Sequence, residues 1–516
     1  MPSIPVITPE QSKSWDQRAV AAGVELATLM ESAGRAVAVV LSDRYPHLLR
    51  AGVLVAAGPG NNGGDGWVLA RALRRLDVPV WVTPSPPASE LCERMARLAR
   101  AEGVREVSPD GPWPTVALAV DALLGTGASG APRPAMASLV ERIHDLEIPV
   151  LAIDGPTGVD LSTGVVHGPI RADLTVTFGG LRRGHVLARD EVGNVVVVDI
   201  GHPSPDPAWP TLITDAQAIE WLRRLQARDH KGTRGRVVIV GGATGMTGAI
   251  RMAARAAFAA GAGLVHAVAP PDTVAALVQA EPDLQTLAQP FDQPASRELL
   301  DLIQKADALA IGPGLGREPG RRELVGSLVA VAKAVVLDAD ALVAFGGRVA
   351  ELAQLARGRP LVLTPHPGEF RAVFPDLAAT RELDPWSAAA AAAEAASATV
   401  LLKGVPSVVA SSGASLWTVA AGNPGLATGG SGDVLTGLVS TGLAQGLEPA
   451  AAAAWGAQAL GRAADIAARR HTARSLRPMD VVNALPDLWR EWELLRVERA
   501  APRAPILFEL PRPQTT

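Results

Sequence analysis

The sequence predicts an α/β protein made of two domains, each a parallel sheet with helices on both faces. Short apolar, β-branched runs alternate with helical patterns along the chain, which is typical of βαβ units. A proline-rich segment, residues 202–210, interrupts this alternation, and the pattern restarts after it. The length of 516 residues leaves room for roughly two to four folded units. We therefore expect domains at 1–210 and 211–495, followed by a C-terminal tail at 496–516.

The first domain contains six runs with the length and composition of buried strands. These runs are residues 53–57, 78–82, 115–120, 150–153, 174–178 and 194–198. An amphipathic helix is predicted to begin at about Val68.

The second domain contains eight such runs. They are residues 237–240, 264–268, 308–311, 335–337, 361–363, 400–402, 408–410 and 416–419. An alanine-rich helix is predicted over 388–396 and another helix over 434–443. The proline-punctuated residues after 495 are predicted to be peripheral.

Composition and charge limit the partners of this protein. With 48% hydrophobic and 19% charged residues the chain can bury full-sized cores, which excludes a disordered or fibrous protein. A formal charge of −4 provides no basic field, so we expect small-molecule substrates and neither nucleic acid nor a membrane as partner. The single cysteine, Cys92, cannot form an internal disulfide, so a reducing cytoplasm is the expected location. A homo-oligomer is the expected assembly.

A glycine-rich stretch, Gly58-Pro-Gly-Asn-Asn-Gly-Gly-Asp-Gly66, follows the first predicted strand. Glycines allow close backbone approach, and a helix that begins here would aim free N–H groups at an anion. The glycine spacing satisfies the dinucleotide fingerprint, but the acidic residue expected at the end of the second strand is missing. The side-chain oxygens of Asn61, Asn62 and Asp65 suit a hard cation. An ordinary turn with local Asx hydrogen bonds is the alternative.

Two further loops place acidic residues beside glycines after a strand. They span residues 121–131 and 153–160. Because the carboxyl ends of parallel strands meet at one edge of the sheet, Asn62, Asp121 and Asp154 are expected to converge there with Thr157.

Five ordered stretches of the first domain carry a resemblance: SWDQRAVAAGVELATLMESAGRAVA, GPGNNGGDG, VDALLGTG, AIDGPTGVDLSTG and ADLTVTFGGLRRG. Together they resemble the NAD(P)H-hydrate epimerase domain over about residues 10–200. The resemblance implies that hydrated NAD(P)H is bound by Asn61, Asn62, Gly63, Gly64, Asp65, Gly125, Thr126, Gly127, Ala128, Ser129, Gly130, Ala131 and Asp154. It also implies a potassium ion (K⁺) held by Asn62, Asp121 and Thr157.

Asp154 is the predicted acid/base of this domain. Interconversion of the R and S hydrates at C6 requires protonation-assisted loss and return of a hydroxyl, which a carboxyl group can serve. This sequence departs from relatives in two places. It has Gly155-Pro-Thr-Gly158 where they often have Ile-Pro-Ser-Gly, and it has Arg182 where they often have lysine.

The strongest signal in the second domain is Asn423-Pro-Gly-Leu-Ala-Thr-Gly-Gly-Ser-Gly-Asp433, directly before a predicted helix. Free amides at a helix start can hold the charge of a phosphoryl group in transfer, while Asp433 can take a proton from a substrate hydroxyl. The motif therefore predicts phosphoryl transfer to an alcohol, with a plain helix cap as the alternative. The ammonium of Lys403 suits a nucleotide phosphate or, alternatively, a surface ion pair.

Five motifs of the second domain carry a resemblance; in order, from about residue 236 to 446, they are GATGMTGA, GPGLG, TPHPGEF, LLKG and GNPGLATGGSGD. They resemble the ribokinase-like superfamily and, more closely, the ADP-dependent NAD(P)H-hydrate dehydratase. The resemblance implies that the hydrate contacts Ala249, Gly314, His366 and Asp433. It implies that the adenine nucleotide contacts Lys403, Gly404, Val405, Pro406, Ser407 and Gly432, with magnesium (Mg²⁺) on its phosphates.

The two resemblances imply two three-layer αβα domains, one Rossmann-like and one ribokinase-like, in a bifunctional NAD(P)H-hydrate repair enzyme. The first domain would epimerise the hydrates (NADHX and NADPHX) as an isomerase. The second would act as a lyase that dehydrates the S form with ADP as co-substrate, yielding NAD(P)H, AMP and phosphate. The alternative is a ribokinase-like kinase for a small alcohol, such as a sugar or vitamin precursor, fused to a non-catalytic nucleotide-binding module.

Overall fold

A computed structural model describes residues 3–168, 170–414, 416–498 and 504–515. The chain divides into two compact units, one of residues 1–209 and 501–512, the other of residues 210–500 and 513–516. None of the helices in the described ranges is both long enough and apolar enough to cross a membrane.

The first unit is built around a parallel sheet. Its strands are β1 (Val6–Ile7), β2 (Val53–Ala57), β3 (Val80–Pro84), β4 (Arg105–Glu106), β5 (Leu118–Ala122), β6 (Val150–Ile153), β7 (Leu174–Phe178), β8 (Leu181–Arg182) and β9 (Asn194–Val198). Its helices are α1 (Pro9–Ala21), α2 (Leu26–Arg44), α3 (Pro46–Ala51), α4 (Asn61–Arg75), α5 (Glu90–Ala101), α6 (Pro134–His144) and α7 (Arg183–Leu187). The sheet order is β9-β7-β6-β5-β2-β3-β4, and β1 pairs in parallel with β8.

All six strands predicted for this domain are present. Two of them lie slightly later in the chain than predicted, at β3 and β5. Every residue of β2 is buried, as expected for an inner strand of a parallel sheet covered on both faces. The strand order reverses between β2 and β5, so the loops that follow these strands lie at the position where open α/β sheets bind ligands.

Helix α4 begins at Asn61 rather than at about Val68 as predicted. Glycine normally weakens a helix interior, which is why the sequence favours a longer loop here. The tertiary contacts reverse that preference: a Cβ on Gly63 would collide with the Gly58 carbonyl, and one on Gly64 would lie 2.6 Å from the Met30 sulfur. Only glycine lets the first turn of α4 pack this closely, so residues 61–65 lie on a helix start rather than in a loop.

The second unit contains a larger, mixed sheet. Its strands are β10 (Thr211–Leu212), β11 (Arg236–Val240), β12 (Leu264–Ala269), β13 (Gln285–Ala288), β14 (Ala308–Ile311), β15 (Val335–Leu337), β16 (Leu361–Leu363), β17 (Thr399–Leu402), β18 (Ser407–Ala410) and β19 (Trp417–Val419). Its helices are α8 (Asp215–Trp221), α9 (Thr247–Ala259), α10 (Pro271–Ala280), α11 (Arg297–Lys305), α12 (Arg321–Val331), α13 (Ala339–Val343), α14 (Val349–Ala356), α15 (Pro367–Val373), α16 (Ala378–Leu383), α17 (Pro385–Ala396), α18 (Ser431–Ala444), α19 (Pro449–Ser475) and α20 (Pro478–Glu498).

The sheet order is β10-β19-β18-β17-β16-β15-β14-β11-β12-β13. Strand β18 alone runs antiparallel to its neighbours β17 and β19, so the parallel prediction is wrong at this strand. All eight strands predicted for this domain are present, and the predicted alanine-rich helix forms most of α17. Two strands were not predicted: β10 has only two residues, and β13 has no buried residue, so neither produces an apolar run.

Helix α18 forms the centre of the second unit's core. Its residues from Val434 to Leu443 are buried without interruption. It packs against α9 so closely that a Cβ on Gly437 would lie 2.8 Å from the Ala256 Cβ. The first turn of α18, which carries Asp433, is therefore held on a rigid helix.

The tail contains one strand that the sequence analysis did not predict. Strand β20 (Ile506–Leu510) pairs antiparallel with β9 and extends the first unit's sheet. Prolines on both sides of this run and the long separation of the two strands in the sequence hide it from a local pattern. The tail thus contributes an edge strand instead of lying wholly apart.

Candidate active sites

Asp154 lies directly after β6 and is surrounded by hydrogen-bond donors. Its Oδ2 accepts the Thr126 backbone N–H at 2.8 Å and also bonds the Thr126 hydroxyl. Its Oδ1 accepts the Thr177 hydroxyl at 3.2 Å and lies 3.4 Å from Nη2 of Arg182. The backbone of Asp154 has a φ of 65°, a left-handed conformation that is uncommon outside glycine and that clusters at functional sites.

These contacts keep Asp154 ionised. Burial by itself would raise the pKa of Asp154, but the Arg182 charge and the Thr126 hydrogen bonds outweigh it, so the pKa lies below its ordinary value. Burial lowers the pKa of His185 to about 4, so this imidazole is neutral. Its Nδ1 accepts the Arg182 backbone N–H, which leaves the proton on Nε2 to be donated to the Asp154 carbonyl at 2.6 Å.

Asn62 and Asp154 line the same gap beside Gly125. A Cβ on Gly125 would lie 3.0 Å from the Asn62 Cγ and 3.1 Å from Oδ2 of Asp154. Both polar atoms of the Asn62 side chain are buried without a hydrogen-bond partner among the described residues. An unpartnered buried amide is costly unless a ligand completes it, so this gap has the character of a binding site.

Asp121 and Thr157 contact each other directly. The Asp121 carboxylate accepts the Thr157 N–H at 2.7 Å and its hydroxyl at 2.8 Å. Burial raises the pKa of Asp121 to about 6, although these hydrogen bonds and that of the Leu123 N–H act in the opposite direction. No hydrogen bond joins either residue to Asn62 within the described chain, so the structure pairs two of the three predicted potassium ligands.

The remaining residues predicted for the first site are spread around the helix start and the loop after β5. Gly63, Gly64 and Asp65 lie on the first turn of α4. Burial, with Asp154 and Asp16 as lesser causes, raises the pKa of Asp65 well above its ordinary value. Four loop residues, Gly127, Ser129, Gly130 and Ala131, are exposed, and Asn61 on α4 is exposed as well, whereas Ala128 is half-buried.

In the second unit, Asp433 lies on the first turn of α18. The helix is preceded by Gly430 in the left-handed conformation, and its N-terminus has no side-chain cap. The Ser431 amide donates to the Thr428 carbonyl at 3.3 Å, whereas the Gly432 and Asp433 amides have no partner among the described residues and are available to an anion. The Asp433 carboxylate makes no hydrogen bond or ion pair with any described residue, and burial and the nearby Asp338 raise its pKa to about 7. Such a carboxylate is suited to act as a general base near neutral pH.

Lys403 lies beside this helix start and is held by two carboxylates. Its Nζ is 2.8 Å from Oδ1 of Asp338 and 3.6 Å from Oε2 of Glu369. A Cβ on Gly432 would lie 3.3 Å from Nζ, which places the ammonium next to the α18 amides. The second Asp338 oxygen accepts the Thr436 hydroxyl at 2.7 Å. Lys403 is thus paired with a buried carboxylate at the site and not with an acid on the surface.

The other predicted nucleotide-binding residues follow Lys403 in a turn before β18. Gly404 and Val405 are exposed, whereas Pro406 is buried. The Ser407 hydroxyl closes the turn by donating to the Gly404 carbonyl at 3.2 Å.

Three predicted hydrate contacts follow strands of the second sheet: Gly314 lies after β14, His366 lies after β16, and Ala249 lies on the first turn of α9, which follows β11. Gly314 and Ala249 are neighbours, since a Cβ on Gly314 would lie 3.2 Å from the Ala249 Cβ. His366 caps α15 with Nδ1, which accepts the Gly368 N–H at 3.0 Å, and its half-exposed ring lies 3.3 Å from the Glu369 carboxylate. His366 thereby contacts the same Glu369 that faces Lys403.

Several residues at these sites were given no role by the sequence analysis. In the first unit they are Thr177 and His185, and in the second Asp338, Asp340, Glu369 and Thr436. Asp338 and Glu369 stand directly after or near predicted strands, which is a signal that was available. The others are placed only by tertiary contacts.

The second unit combines helix amides without a side-chain cap, the Asp433 carboxylate, whose pKa is raised to about 7, and the adjacent Lys403. Such an arrangement is suited to an enzyme that transfers phosphoryl groups. The comparisons with known proteins assign a family. The family model described as NAD(P)H-hydrate dehydratase matches residues 237–487, and the model described as YjeF-related protein N-terminus matches residues 26–184.

Curated relatives extend over most of the chain. The bifunctional NAD(P)H-hydrate repair enzyme Nnr of Moorella thermoacetica is 37% identical, covering 90% of this chain and 92% of its own. The enzyme of the same name from Escherichia coli is 35% identical, covering 90% and 89%. An ADP/ATP-dependent NAD(P)H-hydrate dehydratase from Bacillus subtilis, solved as a crystal structure, is 27% identical with a TM-score of 0.49, covering 54% of this chain and 97% of its own.

The chain belongs to the family of bifunctional NAD(P)H-hydrate repair enzymes. The family resemblance drawn from the motifs is confirmed, as are the α/β fold class and the assignment to an enzyme with two kinds of catalytic domain.

Proposed function

We propose that this chain repairs hydrated NAD(P)H, with epimerisation in the first unit and ADP-dependent dehydration of the S hydrate in the second. The observation that carries the proposal is the placement of Asp433 at the uncapped start of α18 beside Lys403. The family membership supports both activities.

Dehydration must remove a hydroxyl, which is a poor leaving group. Asp433 takes the proton of the C6 hydroxyl, whose oxygen then attacks the β-phosphorus of ADP while the bond to the α-phosphate oxygen breaks and AMP leaves. The α18 amides and Lys403 stabilise the charge on the transferred group. The lone pair of the ring nitrogen expels phosphate from C6, and loss of a proton from the neighbouring carbon restores the dihydropyridine ring.

We propose that magnesium enters the second site on the nucleotide phosphates. Magnesium in nucleotide sites usually keeps several waters and is held by phosphate oxygens together with one or two carboxylates. Asp338 and Glu369, which face the Lys403 ammonium, would be the carboxylates available to the ion, and the ion would neutralise phosphate charge. The Asp433 carboxylate, which has no partner among the described residues, is left to act as the base. Gly404 to Ser407 and Gly432 are the proposed nucleotide contacts.

Epimerisation requires the C6 hydroxyl to leave and return on the opposite face. Asp154 is held as a carboxylate by Arg182 and Thr126, so it can stabilise the positive charge that develops on the ring. It can also take the proton of the returning water and give it back in the reverse direction. The residues predicted for this site, from Asn61 to Asp65 and from Gly125 to Ala131, are the proposed hydrate contacts.

We propose that the first site also binds potassium. The oxygens of three side chains are suited to such a hard cation. They are the Asn62 amide oxygen, which has no partner among the described residues, the neutral Thr157 hydroxyl and the Asp121 carboxylate. These three residues would hold the ion, whose charge would help to orient a negatively charged part of the hydrate.

The test mixes R and S NADH hydrate with ADP and magnesium, and follows NADH absorbance and AMP together. We expect full recovery of NADH with one AMP for each NADH. If NADH is recovered quickly from the S hydrate alone, and the R hydrate follows only at the spontaneous rate of epimerisation, the epimerase assignment is contradicted. AMP-free turnover, or a stable phosphorylated product, would contradict the dehydratase assignment. The same assay with NADPH hydrate compares the two substrates.

We also propose a cytoplasmic location and a homo-oligomeric assembly. The only cysteine, Cys92, is buried, and burial raises its thiol pKa to about 11, so the protein has no need of an oxidising compartment. Sedimentation of the purified chain measures the assembly.

A further inference from the structure

Residues 423–430, here named the anion loop, lead into the first turn of α18 and begin at a buried asparagine. The Asn423 Oδ1 accepts the Gly425 N–H at 3.0 Å. Its Nδ2 donates to Oδ1 of Asp465 at 3.1 Å. The two ends of one amide therefore join the anion loop to helix α19, on which Asp465 lies.

Asp465 is itself held firmly by its surroundings. The Gly422 N–H also donates to its carboxylate, and Oδ2 lies 3.7 Å from Nη1 of Arg462. The Arg462 guanidinium is bonded in turn to Asp215 on α8 at 2.8 Å. The carboxylate thus has a fixed position relative to two helices of the second unit.

Hydrogen bonds continue from Asn423 to the site. The Gly425 carbonyl accepts the Thr428 hydroxyl at 2.9 Å, and the Thr428 carbonyl accepts the Ser431 N–H at 3.3 Å. Ser431 is the first residue of α18, and Asp433 follows two positions later. Among the described residues, no side chain outside the anion loop other than Asp465 makes a hydrogen bond to it. The contact between Asn423 and Asp465 is therefore the side-chain hydrogen bond that joins the start of the anion loop to the rest of the second unit.

We propose that Asp465 is a positioning residue for phosphoryl transfer: through Asn423 it holds the anion loop so that the α18 amides and Asp433 face the transferred group. Asp465 touches neither substrate nor nucleotide in this role. The inference rests on the proposed function of the second unit. Small displacements of an aligned group can reduce a rate about a hundredfold, so the effect on turnover should exceed the effect on binding.

The test exchanges the two partners. Asp465→Ala is expected to reduce kcat for dehydration at least tenfold with less than a threefold change in KM for ADP. Asn423→Asp alone sets two carboxylates against each other and should be as impaired. The double variant Asn423→Asp, Asp465→Asn restores the bond with donor and acceptor exchanged, and should recover most of kcat.

Epimerisation by the same chain provides an internal control and should stay unchanged in every variant. Asp487→Ala removes an acid of α20 that pairs with Arg470 and has no bond to the anion loop, so it should dehydrate like wild type. A wild-type kcat in Asp465→Ala overturns the inference. If Asp465→Ala does not fold, the double variant decides the question. A double variant that has the wild-type melting temperature, but whose kcat for dehydration is no higher than that of Asn423→Asp, overturns the inference. A wild-type chain that does not dehydrate the hydrate refutes the proposed function before any variant is compared.

Discussion

Replacing Asp433 by asparagine should abolish most dehydration while leaving the fold intact. Asparagine has nearly the same shape but cannot take the hydroxyl proton at neutral pH. The neighbouring carboxylates cannot substitute for it, because Asp338 and Glu369 face the Lys403 ammonium. Loss of a positioned general base costs about 10²–10⁴ in rate, or about 3–5 kcal/mol of barrier.

The pH profile gives the same prediction a second readout. Because the pKa of Asp433 is raised to about 7, wild-type kcat/KM for dehydration should rise with pH and level off above that value. At pH 6 only about a tenth of the base would be ionised. Lys403 lowers the pKa of Asp433, so Lys403→Met should move the inflection to higher pH.

Initial rates of NADH recovery from purified S hydrate across this pH range measure both effects. An unchanged thermal unfolding curve of each variant reports that the second unit is folded. An Asp433→Asn enzyme that keeps more than a tenth of the wild-type rate, or a wild-type profile that is flat from about pH 5.5 to 8, would refute the role of Asp433 as base.

Three further predictions concern the first unit. Arg182→Gln should slow epimerisation roughly tenfold or more, because it leaves the buried Asp154 carboxylate without its cation. Arg182→Lys keeps a cation there and should retain most activity. Equal epimerisation rates in the two variants would contradict this reason. Gly63→Ala should destabilise the unit by about 1–3 kcal/mol in denaturant unfolding because its Cβ meets the Gly58 carbonyl, and an unchanged midpoint would show that α4 starts elsewhere. A chain that ends at residue 498 loses β20 and should show a lower melting temperature and more aggregation in light scattering, since β9 becomes an open edge; unchanged behaviour would mean that the strand pairing is not stabilising.

Much of the fold follows from local sequence. Strands β2, β6, β7 and β9 of the first unit have the predicted bounds, because each is a short β-branched or apolar run that ends at a polar or glycine residue. Strands β14, β15 and β16 follow the same rule in the second unit. The glycine-rich motifs indicated the sheet edges at which both proposed sites lie, since the loops after parallel strands share one edge of a sheet.

Two features of the fold depend on contacts between residues that are distant along the chain. Strand β20 pairs with a strand more than 300 residues away, and no local pattern encodes that partner. The early start of α4 depends on whether a neighbouring backbone leaves room for a Cβ, which sequence does not reveal.

The sequence by itself determined which residue types stand at the two proposed sites: Asp154, Asp433 and Lys403, each at the end of a strand or the start of a helix. Only the tertiary structure decided their protonation and their partners. The Arg182 charge lowers the pKa of Asp154 and keeps this carboxylate ionised. Burial, together with the nearby Asp338, raises the pKa of Asp433 to about 7. A pKa is set by the charges and the solvent around a group, and those surroundings come from residues that are distant along the chain.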